Sequence, residues 1–203
     1  MADNILEALL GSRSKARVIR FFVLNHRSEF SFSDVRSKNL LQQGETRKEL
    51  NALEKIEFLK SRKVKGKKHY KMNTGFMLFN ETRNLVLKSN VFPQCKTLKK
   101  MSEIGETKLV LATGIFLNYP KSRIDLLIVS DKINKPKMRK IIEHLEAEVG
   151  KEIKYMLIGN DELLYRLDML DRLLIDLFKG PHDIIFSRIP KLGKMITNFR
   201  KQK

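Results

Sequence analysis

Residues 44–72 read GETRKELNALEKIEFLKSRKVKGKKHYKM, and this stretch decides the fold of the first half of the chain. Leu50, Leu53 and Ile56 recur at i, i+3 and i+6, the spacing of one apolar helix face, so a helix is expected over about Glu45–Glu57. Phe58 and Leu59 close that unit. Beyond them, Val64 and Tyr70 flank Gly66-Lys67, which predicts a hairpin over residues 60–72 turning at the glycine. Six of the nine residues from Lys60 to Lys68 are basic, so the hairpin is strongly cationic.

Working outward, Leu6 to Leu10 reads as a short helix ending at Gly11-Ser12. Ser14 to Asn25 is a second helix, with Val18, Ile19, Phe21, Phe22 and Leu24 forming a wide apolar stripe. Phe30 and Phe32 alternate with serines as a very short strand. Ser33 is the expected N-cap of a short helix that has Asp34 in its first turn and runs through Val35 to about Ser37. Leu40 and Leu41 follow as core residues. Downstream, Phe76 to Ser89 forms one more helix, and Asn90–Pro93 is the expected domain boundary.

A short helix, a turn, a longer helix and a basic hairpin together suit a double helix of nucleic acid. A helix fits the major groove, where each base pair presents its own donor and acceptor pattern. A neighbouring hairpin lays cations on the flanking backbone. The groove-facing side chains are expected opposite Leu50 and Leu53, and Gln43, Thr46, Arg47, Lys48 and Asn51 meet that condition. Arg47 is the candidate for a bidentate guanine contact, and Gln43 or Asn51 for adenine. Glu45 either accepts from cytosine or supports the helix N-terminus. Arg62, Lys63, Lys65, Lys67 and Lys68 are the phosphate or minor-groove candidates, with Arg36 and Lys38 as secondary backbone contacts.

Charge agrees. Lys and Arg number 41 against 23 Asp and Glu, a net of +18 with a pI near 10.0. Residues 1–100 carry 22 basic and 9 acidic groups, a net of +13, whereas 101–203 hold only +5. No acidic residue follows Asp183. Such a field attracts polyanions, because neutralised phosphates release their counterions. An exposed charged surface serving protein contact, or a reader of double-stranded RNA, would share these features.

The stretch from Leu10 to about Met72 resembles the small winged helix-turn-helix regulators of bacteria and archaea. The resemblance is carried by residues 44–54 and by the closing Phe58-Leu59-Lys60. It implies double-stranded DNA as the partner and binding as a homodimer.

The second half changes character. After a helix over about Gln94–Ile104, Leu109–Thr113 and Ile124–Ser130 read as strands, with a helix over Lys135–Val149 and a strand over Glu152–Ile158. One helix over Asp161–Phe178, rich in leucine, and a strand over Asp183–Phe186 complete an α/β layer. Asp168, Asp171 and Asp176 are expected on that helix's solvated face.

From Lys108 to Arg188 the chain resembles a minimal nucleotidyltransferase domain, through Leu109–Gly114 as first strand and turn and RIDLLIVSD at 123–131 as the second strand. In the active family a Gly-Ser pair holds triphosphate and two acids one residue apart bind the metals. Residues i and i+2 share one face of a strand, which is why such acids converge. Here Gly114 is followed by Ile115, and Arg123 stands where the first acid belongs, leaving Asp125 of the pair, with Glu152 at the expected start of the third strand as the other carboxylate candidate. The resemblance therefore implies a pseudoenzyme with no catalytic residue, metal or cofactor. A structural or dimerising role, or metal-free sensing of a nucleotide or small effector through Arg123, remains open to it.

The expected class is α+β: a winged helix-turn-helix DNA-binding domain at 1–90, a degenerate nucleotidyltransferase-like domain with a mixed sheet at 91–188, and a basic tail at 189–203. The function expected is that of a transcriptional regulator; the alternatives are an architectural, non-specific DNA protein and a metal-dependent nucleotidyltransferase. A lone Cys95 excludes an internal disulfide, and His26, His69, His144 and His182 lack ligand spacing. No apolar run approaches the roughly 18 residues of a membrane span, so no membrane partner is expected and the cytoplasm is the expected compartment.

Overall fold

The computed structural model of the chain describes residues 5–89, 96–190 and 192–193. It is a mixed α+β protein with two sheets, and it divides into Met1–Gln94 with Glu143–Glu152, and Cys95–Ile142 with Ile153–Lys203. The expected boundary at Asn90–Pro93, Cys95, and most of the basic tail lie outside the described residues.

The first unit begins with α1 (Ile5–Leu10) and α2 (Arg13–Leu24), the latter capped by the Ser12 side chain, which accepts from Lys15 N. β1 (Glu29–Ser31) leads directly into α3 (Phe32–Asn39). The cap of α3 is Ser31 rather than the expected Ser33. Ser31 is the last extended residue, and its hydroxyl accepts from Asp34 N while Asp34 Oδ2 accepts from Ser31 N at 2.9 Å. Leu40 ends α3 in the left-handed region, and a short connection leads to α4 (Gln43–Lys55). The helix starts two residues earlier than the apolar spacing indicated, because Glu45 Oε2 accepts from Gln42 N at 2.9 Å and stabilises the first turn.

β2 (Leu59–Val64) and β3 (Lys67–Met72) form the hairpin, and β1 adds to β3 to give the antiparallel order β1-β3-β2. The turn is Lys65-Gly66, with φ of 49° and 76°. Two consecutive left-handed residues are what a two-residue turn needs if its twist is to match the strands. α5 (Phe79–Lys88) follows; the three residues before it that were expected to be helical, Phe76 to Leu78, form a turn closed by Phe79 N donating to Phe76 O, directly after a turn at Asn73. Val18, Phe22, Val35, Leu50, Leu53, Phe58, Leu59 and Met72 meet in one core. Ile56, expected on that face, lies just past the end of α4 and is 56% exposed.

The second unit holds α6 (Lys96–Lys100), β4 (Thr107–Ala112), β5 (Leu126–Ser130), β6 (Tyr155–Ile158), α8 (Asn160–Asp168), α9 (Arg172–Lys179) and β7 (Asp183–Ser187); α7 (Lys135–Val149) lies between β5 and β6. The order is β6-β5-β4-β7, with β5 and β6 parallel and the other neighbours antiparallel, a mixed sheet. β5 is buried at every position, as its unbroken apolar run requires. The single helix expected over Asp161–Phe178 is two helices. Leu170 takes φ 54°, and Asp171 caps α9 by accepting from Leu173 N at 2.8 Å and Leu174 N at 3.1 Å. Asp171 is thus a cap rather than a solvated face residue.

Candidate nucleic-acid interface

Helix α4 divides cleanly. Leu50 and Leu53 are buried in the core, and Glu49, also buried, accepts from Ser14 Oγ at 2.8 Å, tying α4 to the start of α2. Gln43, Arg47, Lys48 and Asn51 are exposed. Gln43, Arg47 and Asn51 recur every four residues along one outer strip, and Lys48, three residues before Asn51, widens it. Thr46 does not join them. It is fully buried and its hydroxyl donates to Gln42 O at 2.9 Å, so it serves the helix's own backbone, a correction to the expected set. Glu45 is the N-terminal brace already described, not a free acceptor.

The hairpin is fastened to this helix by one carboxylate. Glu54, near the end of α4, accepts from the Ser61 hydroxyl on β2 and pairs with Lys68 Nζ on β3 at 2.7 Å. Those donors hold the Glu54 carboxyl below its ordinary value, and the same bond raises Lys68. Lys68 also sits 5.2 Å from the centre of the Tyr70 ring, a cation–π distance. Burial raises the Tyr70 hydroxyl, while the nearby charge of Lys68 and then of Arg47 acts in the opposite direction. Arg47, Lys68, Tyr70 and Glu54 therefore belong to one electrostatic neighbourhood joining helix and hairpin.

Register sorts the cations of the hairpin. Lys63 lies opposite Lys68, on the face that also carries Leu59, Tyr70 and Met72. Lys60, Arg62, Lys67 and Lys71 occupy the other face. Arg62 pairs with Glu29 of β1 at 2.8 Å. Of the five hairpin cations singled out in the sequence, Arg62 and Lys68 are thus already paired. Among the described residues Lys63, Lys65 and Lys67 form no ion pair, and all three are exposed. Arg36 and Lys38, on the last turn of α3, are exposed as well. Sequence reasoning missed Glu29 and Glu54, because partners 33 and 14 residues away leave no local signature.

No protein-family model matches the chain, and no curated protein matches it. Among solved structures, TrmBL2, an archaeal chromatin protein with a novel mode of DNA binding, aligns over 88% of this chain and 79% of its own. The identity is 16% and the TM-score 0.31, a likeness too slight to carry a fold or a function across.

In the second unit, Asp125 is buried and both its carboxylate oxygens are engaged by backbone. Oδ1 accepts from Ile115 N at 2.8 Å and Oδ2 from Lys154 N at 2.9 Å. Gly114 has φ 55°, and a Cβ there would run into the Asp125 carboxylate. Glu152 does not open a strand: it is exposed and precedes β6 by three residues. Arg123 is exposed in the loop before β5. Among the described residues no cluster of three His, Cys, Asp or Glu side chains could hold a metal ion, and no helix is long and apolar enough to cross a membrane.

Proposed function

We propose that the first unit is a winged helix-turn-helix that binds double-stranded DNA, and that the protein acts as a transcriptional regulator. In this reading α4 enters the major groove with Gln43, Arg47, Lys48 and Asn51 toward the bases, and the hairpin carries Lys63, Lys65 and Lys67 along the adjacent phosphates. The observation that carries the reading is the clamp at Glu54. It ties the cationic hairpin to the same helix whose outer strip is polar and exposed, so both elements present to one ligand.

The second unit is proposed as a nucleotidyltransferase-like shell without catalysis. Asp125, the one acid retained from the expected metal pair, has each oxygen committed to a backbone N–H, which supports a bracing role for it.

The test compares two kinds of substitution on duplexes selected from random DNA. Arg47→Ala is expected to cost about 1–3 kcal/mol on the selected sequence and to relax preference at one base step. Lys63→Ala and Lys67→Ala are expected to weaken selected and scrambled duplexes alike. A specific-to-scrambled affinity ratio near one for the unaltered protein would select the architectural reading instead, since a regulator needs a ratio of roughly 10³ or more. Unchanged duplex binding in all three variants would sink both.

A further inference from the structure

A second candidate site lies in the second unit, independent of the DNA-binding reading. A pocket of about 310 Å³ opens at the C-terminal end of β4, lined by Thr113, Tyr119, Lys121, Arg123, Asp176 and Lys179 among others. That volume falls at the lower end of the ~300–1,000 Å³ typical of small-molecule sites. Three cations face one carboxylate in its lining, so the pocket carries a net positive charge. Among the described residues, neither Lys121 nor Arg123 has an acidic partner. The lining also has an apolar part, Leu173 and Leu177 of α9.

The walls are built rather than incidental. Tyr119 N donates to Gly114 O at 2.8 Å, Ser122 N to Tyr119 O at 3.2 Å, and the Ser122 hydroxyl to Ile124 O at 2.6 Å, so the loop bearing Lys121 and Arg123 is bonded to itself along its length. Asp125, at one end of that loop, accepts from Ile115 N at the other end and from Lys154 N of the segment leading into β6. The Thr113 hydroxyl donates to Pro181 O at 2.7 Å, fastening the end of β4 to the segment after α9. Gly180 leaves space beside the Tyr119 ring: a Cβ there would stand 3.3 Å from it and 3.0 Å from Asp176 O. A pre-formed loop places its cations without an ordering cost at the moment of binding.

We propose that this pocket binds a small phosphorylated organic molecule without a metal ion. Arg123 and Lys121 would hold the phosphate, with the guanidinium able to donate in bidentate fashion. Leu173, Leu177 and the Tyr119 ring would cover the body of the ligand. Bare phosphate uses only the charged part of the lining, so an organic monoester is the better fit.

The test is calorimetric titration of the full chain in EDTA at moderate salt, with adenosine 5′-monophosphate, ribose 5-phosphate, inorganic phosphate and adenosine as probes. One or both phosphate esters should bind with 1:1 stoichiometry, inorganic phosphate at least tenfold more weakly, and adenosine not measurably. Arg123→Ala and Lys121→Ala should each weaken the ester by about tenfold or more, the loss of one charge-assisted contact. Both side chains are exposed, so these variants should keep the parent's melting behaviour. Arg47→Ala should leave the titration unchanged, which separates this site from the polyanion surface of the first unit. The proposal is overturned if no ester binds up to millimolar concentration, if Arg123→Ala binds like the parent, or if Arg47→Ala abolishes the signal.

Discussion

Asp34 shows how a single side chain can set a local boundary and a pH response together. The Ser31 hydroxyl donates to its carboxylate, and the Ser31 N–H adds a second bond; these, the hydroxyl foremost, hold the carboxyl below the usual aspartate value. A carboxyl lowered on folding contributes stability above its unfolded pKa, and that contribution disappears as pH falls through the lowered value. Asp34→Ala should therefore cost about 0.5–2 kcal/mol near neutrality, the usual worth of a cap, and progressively less toward acid, as followed by urea denaturation across pH. A pH-independent cost would mean that the capping box does not form. Gly114 makes a different residue-scale case. It needs a left-handed φ and also the absence of a side chain beside Asp125, so Gly114→Ala should destabilise the second unit by about 2–4 kcal/mol. Neither role is written in a local pattern. Ser31 and Ser33 are equally good caps by type, and only the end of the strand decides between them. The contact between Gly114 and Asp125 crosses eleven residues and becomes visible only once β4 and β5 have paired.

Elements were legible where one period dominates. The apolar spacing of α4 and the unbroken run of β5 each announce their type, and the glycine at position 66 announces the hairpin turn. The break between α8 and α9 was not legible. Leu163, Leu167, Leu174 and Leu177 continue the helical period across it, with neither glycine nor proline to interrupt them. What breaks the run is the Asp171 side chain taking two backbone N–H groups while Leu170 adopts a conformation that leucine seldom does. Asp171→Ala tests this directly. With two helices, the lost cap should cost about 0.5–2 kcal/mol in chemical denaturation. In one continuous helix the same change would be neutral or stabilising, because alanine is the better interior residue. Within the candidate site, the exposed strip of α4 was readable from the positions of Leu50 and Leu53. The burial of Thr46 was not, since it depends on a hydroxyl satisfied within the helix rather than on polarity.

At the scale of the whole molecule the governing quantity is charge, and its effective value differs from its formal one. The net of +18 counts every lysine and arginine equally. A cation already held by a carboxylate has less to gain from a phosphate, since binding must first give up the internal pair. Lys68 is in that position through Glu54, and Arg62 through Glu29. If the hairpin lies on DNA as proposed, Lys67→Ala should lower the slope of log affinity against log salt by about one, and Lys68→Ala by distinctly less. Glu54→Gln gives the sharper result. Glutamine keeps an acceptor for the Ser61 hydroxyl, so the hairpin stays fastened, but the charge holding Lys68 is gone. Affinity for scrambled duplex should then rise and the salt slope should steepen, by up to about one unit, while preference among sequences stays where Arg47 sets it. A shallower slope in Glu54→Gln, or one equal to the parent's, would mean that Lys68 never meets the backbone, and that the hairpin's contribution rests on Lys63, Lys65 and Lys67 alone.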